Sequence, residues 1–406
     1  MSLPYVRINF AIGAIGGYDA MDDGCTGLLC TAEAVTGKFA LGTNYLVTSL
    51  KQLEDLGIDA ESEGANANVY KCVKEFYAEA PKGTRLFIRG VAESVTVDDL
   101  TDRDEGHAWP LLEYAKGEIR TLVVKATDAA GYEATVEGAL DAVVYEAITN
   151  AQTLANAAAN ELKAPIVVLL EGRHYSGTPA ALEQLKEYAC NRVAVVIGDT
   201  TKGPDQSGST GAAVGLLAGR IAAIPVQRSV ARVKDGAVKA TQMYIGYETP
   251  ESGHPDVVHD KGFICPRTFV GKGGYYWSDD TLATDATDDY CLIPRRRTVD
   301  KAYRVAYATM LEYLNDEIAV TAEGKIVPAV CKGIETALES AVIRQMTREG
   351  NLSTDPDDPN DTGVEAYVDP DQDIVSASRL DVKLRIRPYG YAKYIEVDLG
   401  FQTVNN

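Results

Sequence analysis

The stretch from residue 119 to residue 221 alternates short apolar runs with longer amphipathic segments, and this order constrains the fold more than any other feature of the sequence. Strands that are apolar along nearly their whole length are typical of a parallel sheet covered by helices on both faces. The sequence therefore predicts a Rossmann-like α/β layer. Its predicted strands are 119–126, 165–170 and 192–197, and its predicted helices lie near 137–162, 178–190 and 209–221.

Two runs near the other end of the sequence, 379–387 and 394–399, show the period-two alternation of half-buried strands. The segment 388–391 supplies a bend, so the two runs are predicted to pair, with Ile386 beside Ile395. Because two strands alone are marginal in water, the pair must complete a larger sheet, either in the same subunit or on a neighbour. The apolar residues at the alternate positions are Leu384, Ile386, Ile395, Val397 and Leu399.

Two helices are predicted just before these strands. The first starts near Thr298, and the second opens at Pro328, because proline is favoured in the first turn of a helix. Together with the strands they make a compact α+β module. The predicted buried face of the first helix consists of Val299, Tyr303, Ala306, Tyr307, Met310, Leu311, Leu314 and Ile318.

The first ten residues alternate loosely and are followed by the glycine-rich segment 13–17. Glycine gives the backbone freedom that other residues lack, so the segment is predicted to be a joint. We expect an extended arm that gains little from its own subunit and pairs with the open sheet edge of a neighbour. The apolar residues assigned to that contact are Leu3, Tyr5, Ile8 and Phe10.

Composition excludes several classes of protein. A formal net charge of −20 argues against a chain that grips a phosphate backbone, since such binding depends on basic patches. The sequence begins without the basic and apolar regions of a signal peptide, and the apolar run near 212–224 is too short to span a bilayer, so a cytoplasmic protein is expected. Seven cysteines without a C-x-x-C spacing indicate buried core residues rather than disulfides or zinc ligands.

Polar residues follow two neighbouring strands of the predicted parallel sheet. Glu171, Arg173 and His174 come after one strand, and Asp199 comes after the next. Ligands of such sheets bind at this edge, so an enzyme or small-ligand-binding protein with Glu171, His174 and Asp199 at its site is the alternative function. No nucleophile motif, metal spacing or phosphate loop accompanies them, and we therefore expect no catalytic residue, cofactor or metal.

Two further motifs have a structural and a functional interpretation. The glycines at 208, 211, 215 and 219 match neither common phosphate-binding motif, and a close contact between helices is the prediction. His254 and His259 lie beside aspartates in an irregular segment, where a solvated loop is favoured over a metal site.

The only basic cluster in this acidic chain is formed by Arg295, Arg296 and Arg297, at the entrance to the predicted long helix. Basic groups are electrostatically favoured at the opposite end of a helix. One interpretation is a solvated or internally paired turn, and the other is a docking patch for an acidic partner surface. The residues alone do not decide between them.

The order of these features resembles the core of contractile tail sheath proteins, which form part of phage tails and related injection machines. The resemblance rests on the segments 262–268 (GFICPRT), 289–297 (DYCLIPRRR), 384–388 (LRIRP) and 394–397 (YIEV), supported by 45–50 (YLVTSL) and 85–90 (RLFIRG). It extends thinly over most of the chain.

The resemblance implies a structural subunit rather than an enzyme. Such subunits polymerise into a helical tube around an inner tube and contract to drive it through a target envelope, with terminal arms that add strands to neighbouring subunits. Implied partners are further copies of the chain, the inner tail tube protein, and baseplate and tail terminator proteins, with neither nucleic acid nor membrane insertion. Assembly in the cytoplasm is followed by a place in a phage tail or bacterial injection apparatus. The implied divisions are an arm at 1–21, an outer α/β domain at 22–245 and an α+β sheath core at 246–406.

Overall fold

The computed structural model describes residues 23–203 and 211–400, and the predicted arm residues Leu3, Tyr5, Ile8 and Phe10 lie outside them, as does Gly208. The strands are β1 Thr26–Thr31, β2 Asn44–Val47, β3 Leu86–Val91, β4 Thr121–Lys125, β5 Val136–Glu137, β6 Leu140–Asp141, β7 Val167–Glu171, β8 Val193–Val196, β9 Pro266–Phe269, β10 Lys272–Trp277, β11 Val364–Val368 and β12 Val382–Ile386. The helices are α1 Leu50–Asp55, α2 Gly64–Glu79, α3 Val97–Thr101, α4 Trp109–Tyr114, α5 Ala142–Glu161, α6 Val214–Ala223, α7 Pro255–Asp260, α8 Ile293–Met310, α9 Pro328–Val342 and α10 Ile374–Ala377.

A mixed six-stranded sheet in the order β2-β3-β1-β4-β7-β8 organises the chain before residue 200. Its neighbours are parallel except β2, which runs antiparallel to β3. Apolar side chains project from both faces of the central strands, because these strands are apolar along their length. Helices α3, α4 and α5 cover one face, and α1, α2 and α6 cover the other. The predicted mixture of strands and helices is confirmed, while the Rossmann-like outer domain stays a prediction.

Helices α2 and α6 pack at very short range. A Cβ atom at Gly215 would lie 2.2 Å from the carbonyl oxygen of Cys72, and one at Gly219 would lie 2.4 Å from that of Phe76. Only glycine permits this approach, since no side chain fits between the two backbones. The predicted close helix contact is therefore confirmed for Gly215 and Gly219, whereas Gly211 precedes α6 and packs against Glu171.

The edge strand β8 is covered by the chain that follows it. Ile197 donates its backbone N–H to the carbonyl of Ile264 at 2.9 Å, and Ile264 donates to Val195 at 3.0 Å. Further along, Ala283 donates to Val193 at 2.8 Å. The segment around Ile264 and Ala283 thus packs on the sheet, although the predicted boundary after residue 245 stays a prediction.

The helix predicted at 178–190 is wrong. This segment contains two short 3₁₀ turns, Pro179–Ala181 and Leu185–Glu187. The backbone N–H of Leu185 donates to the carbonyl of Lys261 at 2.9 Å instead of continuing a helix. A contact distant in sequence has replaced the local hydrogen-bond pattern.

The C-terminal module consists of α8, α9 and the antiparallel pair β11–β12. Pro328 opens α9 as predicted. Helix α8 begins before Thr298 and presents a different face from the one predicted. Ala302 and Val305 are buried with Ala341 and Val342 of α9. The predicted core residues Tyr303, Tyr307, Leu311 and Leu314 are exposed.

Ion pairs explain why α8 buries a different face from the predicted one. Asp300 pairs with Arg192 of the sheet region at 2.9 Å, and Lys301 pairs with Asp23 at 2.6 Å. Asp300 and Lys301 are buried, so they turn their side of the helix toward the sheet. The apolar pattern alone does not contain this information.

The predicted pairing of 379–387 with 394–399 is also wrong within this chain. Strand β12 pairs with β11, with Val364 opposite Ile386 and Val368 opposite Val382. The segment after β12 is held elsewhere, because the Tyr391 hydroxyl donates to the carbonyl of Gln227 at 2.7 Å. Lys393 also pairs with Asp279 at 2.5 Å.

Candidate functional site

The carboxyl ends of β4 and β7 hold a buried cluster of charged side chains. Glu171 accepts hydrogen bonds from Lys125 Nζ at 2.5 Å, from Arg173 Nη1 at 2.8 Å and from the backbone N–H of Ala126 at 2.7 Å. Burial by itself would raise the pKa of Glu171, but the Lys125 ammonium and the Arg173 guanidinium hold it below its usual value. The carboxylate is therefore ionised and fully engaged.

The cluster continues from Arg173 to Asp128 and His174. Arg173 forms an ion pair with Asp128, and His174 Nε2 lies 3.0 Å from the other carboxylate oxygen of Asp128. Hydrogen bonds from His174 and the nearby charge of Arg173 outweigh the effect of burial and lower the pKa of the Asp128 carboxyl. The predicted residues Glu171 and His174 thus belong to one network, linked through Arg173 and Asp128.

Asp199 lies in a second group of charged residues at the same edge of the sheet. It pairs with Lys71 of α2, and Lys71 also lies 3.6 Å from Glu75. Thr200 donates its hydroxyl to Glu75 at 2.5 Å. Burial raises the pKa of Glu75, and the attraction of Lys71 opposes that shift. Asp199 therefore forms its ion pair with Lys71, while its charge also helps to raise the pKa of Lys125 in the first network.

Little space adjoins these charges among the described residues. A cavity of about 40 Å³ lies beside Asp128, Tyr132 and Arg173, and this is room for only one or two water molecules. Gly211 covers the cluster so closely that a Cβ there would lie 2.7 Å from Glu171 Oε2. Within residues 23–203 and 211–400, no three His, Cys, Asp or Glu side chains are placed to hold a metal ion. The carboxylates of Glu171, Asp128 and Asp199 are thus each paired with a basic side chain.

Sequence reasoning missed three partners of the predicted residues. Lys125 pairs with Glu171, Lys71 pairs with Asp199, and Asp128 pairs with Arg173 and His174. Lys125 carried a detectable signal, because it is a charge at the end of the otherwise apolar strand Thr121–Lys125. Asp128 and Lys71 have no such signal, since their pairing depends on how separate elements pack.

The three arginines at the start of α8 are engaged inside the chain to different degrees. Arg296 pairs with Asp300 at 2.9 Å. Arg297 is buried and donates to the carbonyls of Asp23 at 3.2 Å and Ile224 at 3.3 Å. An exposed docking patch that includes Arg297 is therefore wrong, because this guanidinium faces the interior. A role for Arg295 and Arg296 in subunit contacts stays a prediction.

Strand β12 has an open edge. Arg387 donates its N–H to the carbonyl of Gly363 at 2.8 Å, which fixes the alternation of the antiparallel ladder. The backbone groups of Val382, Leu384 and Ile386 therefore point away from β11. No hydrogen bond within the described chain reaches them.

The segment 394–399 forms neither strand nor helix and stands away from the rest of the subunit. Its apolar side chains are largely exposed, with Ile395 at 77% and Leu399 at 96%. Exposed apolar residues at alternate positions are typical of a strand that lacks its sheet. The chain thus contains both an unpaired edge and an unpaired strand-like segment. No described helix is long and apolar enough to cross a membrane.

Two family models together span nearly the whole sequence. The DUF2586 N-terminal domain matches residues 3–281, and the DUF2586 C-terminal domain matches residues 289–406. The chain belongs to the DUF2586 family. Among curated proteins, none matches it.

Solved structures share the fold of this DUF2586 protein. A chain of the anti-feeding prophage (AFP) baseplate has a TM-score of 0.62 at 15% identity, covering 99% of this chain and 100% of that chain. A chain of the PVC sheath complex, an extracellular contractile injection system in its contracted state, has a TM-score of 0.59 at 13% identity and 98% coverage of both chains. A sheath tail protein from Desulfitobacterium hafniense has a TM-score of 0.50 at 12% identity, covering 90% of this chain and 93% of that one. The resemblance to contractile tail sheath proteins is confirmed as a likeness of fold.

Proposed function

We propose that this DUF2586 protein is the subunit of a contractile sheath, which polymerises as a helical tube around an inner tube and shortens to drive that tube through a target envelope. The observation that carries the proposal is the shared fold with a contractile sheath chain over 98% of both chains. A match to an isolated domain would support only a common building block. A match over the whole length supports a common architecture of the subunit.

Strand addition between subunits is the proposed means of polymerisation. The outward backbone groups of Leu384 and Ile386 offer an open edge, and the exposed residues Ile395, Val397 and Leu399 offer a strand with one apolar face. Pairing the segment 394–399 of one copy with β12 of another satisfies backbone groups and buries that apolar face. The N-terminal run 3–10 is a second proposed donor.

Contraction on this proposal uses energy stored in the lattice. The extended tube is metastable relative to the contracted tube, and subunits move largely as rigid bodies while the donated strands remain paired. The well-packed sheet region suits a rigid body, since its charged groups around Glu171 are paired internally. No acid, base or cofactor is needed, so the protein is proposed to act without catalysis.

The proposed partners follow from this role. They are further copies of the chain, an inner tube protein, and baseplate and terminator proteins at the two ends of the tube. Arg295 and Arg296 are the proposed contacts to an acidic neighbour or to the tube. The proposed location is a phage tail or a bacterial contractile injection apparatus.

Truncation at each end tests the proposal. Removing residues 1–12 or 394–406 is expected to leave a folded subunit with nearly unchanged thermal unfolding, because both segments are proposed intermolecular links and residues 394–400 are exposed. Both deletions are expected to abolish tubes. Circular dichroism melting and electron microscopy of each variant, beside the full chain, measure the two effects. Full-length tubes from both truncated chains would contradict strand exchange.

A further inference from the structure

The two edges of the β11–β12 sheet differ in their hydrogen bonding. At the outer edge of β11, Ala366 donates its backbone N–H to Glu339 Oε1 at 2.9 Å. Val368 donates its backbone N–H to Glu335 Oε1 at 2.8 Å. The carboxylates come from α9 and occupy the positions that carbonyls of an additional strand would take. The edge of β12 carries no such cover.

The spacing of the two glutamates matches the spacing of the strand. Residues four apart on a helix face are separated by about 6 Å along its axis. Outward backbone groups on an antiparallel strand recur every second residue, at about 7 Å. Glu335 pairs with the later strand residue and Glu339 with the earlier one, so α9 and β11 run in opposite directions. The helix therefore places one carboxylate acceptor beside each of two successive outward N–H groups.

The carboxylates satisfy the outward N–H groups of the edge but not its outward carbonyls. A carboxylate accepts hydrogen bonds but cannot donate them, so it cannot pair with an outward carbonyl. The outward carbonyls of Ala366 and Val368 have no hydrogen bond from any residue in the described part of the chain. A donated strand would pair with both kinds of group. When a donated strand displaces the carboxylates, their new hydrogen bonds to water offset the loss of their hydrogen bonds to β11.

We propose that Glu335 and Glu339 form a removable cap on the β11 edge, so that an extended segment of a second copy joins first at β12 and reaches β11 only after the cap opens. This inference rests on the proposed strand exchange. Lys332 lies 2.6 Å from Glu335 Oε2 and is itself exposed. It therefore forms an ion pair with the carboxylate without preventing its displacement. The cap protects an edge that would otherwise pair indiscriminately before assembly.

A peptide-binding experiment tests the cap. The probe is a synthetic peptide of residues 390–400, added to the full chain at concentrations where the chain is monomeric, with stoichiometry measured by calorimetry. The wild type is expected to bind one peptide and the Glu335→Ala/Glu339→Ala variant two. The Glu335→Gln/Glu339→Gln variant keeps an acceptor oxygen at each position and is expected to bind one. Equal stoichiometry in the wild type and the alanine variant overturns the cap.

Hydrogen exchange separates failure of the cap from failure of the proposed function. In the isolated subunit the alanine variant is expected to exchange the amides of Ala366 and Val368 roughly tenfold faster or more, since each loses a bond to a charged acceptor. Exchange in 382–386 is expected to be unchanged. If no form of the chain binds the peptide, strand donation by this segment fails, and unchanged exchange at Ala366 and Val368 still overturns the cap.

Two variants complete the test. Thr336→Ala, at an exposed position of the same helix, is the control and is expected to match the wild type in both assays. Glu335 is buried, so the double variant can lose stability. Glu339→Ala alone then replaces it, with faster exchange expected at Ala366 and the exchange at Val368 retained. Equal exchange at Ala366 in this variant and the wild type overturns the cap.

Discussion

The β8 edge of the six-stranded sheet and the edges of the β11–β12 sheet differ in how the chain covers them. The chain covers the β8 edge with backbone hydrogen bonds that involve Ile264 and Ala283. The β12 edge has no such cover among the described residues, and at the β11 edge the N–H groups of Ala366 and Val368 donate to side-chain carboxylates. An uncovered edge is a template for another chain. We therefore expect the β8 edge to be closed within the subunit and the β11–β12 sheet to be completed by a neighbour.

Charged groups show the same contrast. Around Glu171 the ion pairs are buried, and removing one partner leaves an uncompensated charge. In the C-terminal module the pairs Arg379–Asp381 and Lys325–Asp371 are largely exposed and contribute little to stability. One region is stabilised internally, and the other leaves its contacts to be made on assembly.

The largest expected effect on folding comes from Glu171→Ala. It leaves Lys125 and Arg173 buried without their shared carboxylate, and the free energy of unfolding is expected to fall by about 3–5 kcal/mol. Urea denaturation measures the change. Glu323→Ala, at an exposed position, is the control and should stay within about 0.5 kcal/mol of the wild type. A fully stable Glu171→Ala chain that has lost a specific ligand would revive the enzyme alternative.

The second expected effect concerns the contact between α2 and α6. Gly215→Ala places a Cβ against the carbonyl of Cys72, so the helices must separate, at a cost of about 1–3 kcal/mol. Gly333 of α9 is the matched site, because a Cβ there meets no atom within 4 Å. Gly333→Ala is expected to stabilise the chain by about 0.5–1 kcal/mol. Equal effects of the two substitutions in thermal unfolding would show that the contact is not tight.

The sequence predicted those parts of the fold whose cause is local. The strands around Val123, Leu169 and Val195 were predictable because each is a short apolar run, and Pro328 marked its helix by its own geometry. The segment at 178–190 was mispredicted because Leu185 bonds to Lys261, far along the chain. A contact between residues so distant in sequence produces no periodic pattern from which it could be predicted.

In the candidate sites, too, the position of single residues was predictable from the sequence, whereas their partners were not. The position of Glu171 at a strand end was predictable, while its partners required the alignment of β4 with β7. The alternation in 394–399 was recognised, but its predicted pairing failed because Lys393 is anchored to Asp279. Glu335 and Glu339 were missed, since their role depends on where α9 lies beside β11.

A smaller effect is expected from pH at the point where the C-terminal segment meets the sheet region. Burial and the neighbouring Asp279 carboxylate raise the pKa of Asp280 to about 7, opposed by Lys393. The unfolded chain releases this proton near pH 4. Between about pH 4 and pH 7 the folded state therefore binds the extra proton, and this group's contribution to stability falls as the pH rises. Asp280→Asn is expected to reduce the difference in unfolding free energy between pH 5 and pH 8, whereas an unchanged difference excludes Asp280 as its source.

The smallest effect on folding is expected from Ile395→Asp/Val397→Asp, which makes this pair of substitutions the sharpest test of the contrast between the two regions. Both side chains are exposed, so the free energy of unfolding should change by no more than about 0.5 kcal/mol. Assembly should nevertheless be lost, because a donated strand would have to bury two carboxylates. The matched control, Glu396→Gln/Asp398→Asn, alters the opposite face of the same segment and should still form tubes. Sedimentation and electron microscopy measure assembly beside urea denaturation, and tubes from the aspartate variant would show that this segment joins no neighbouring sheet.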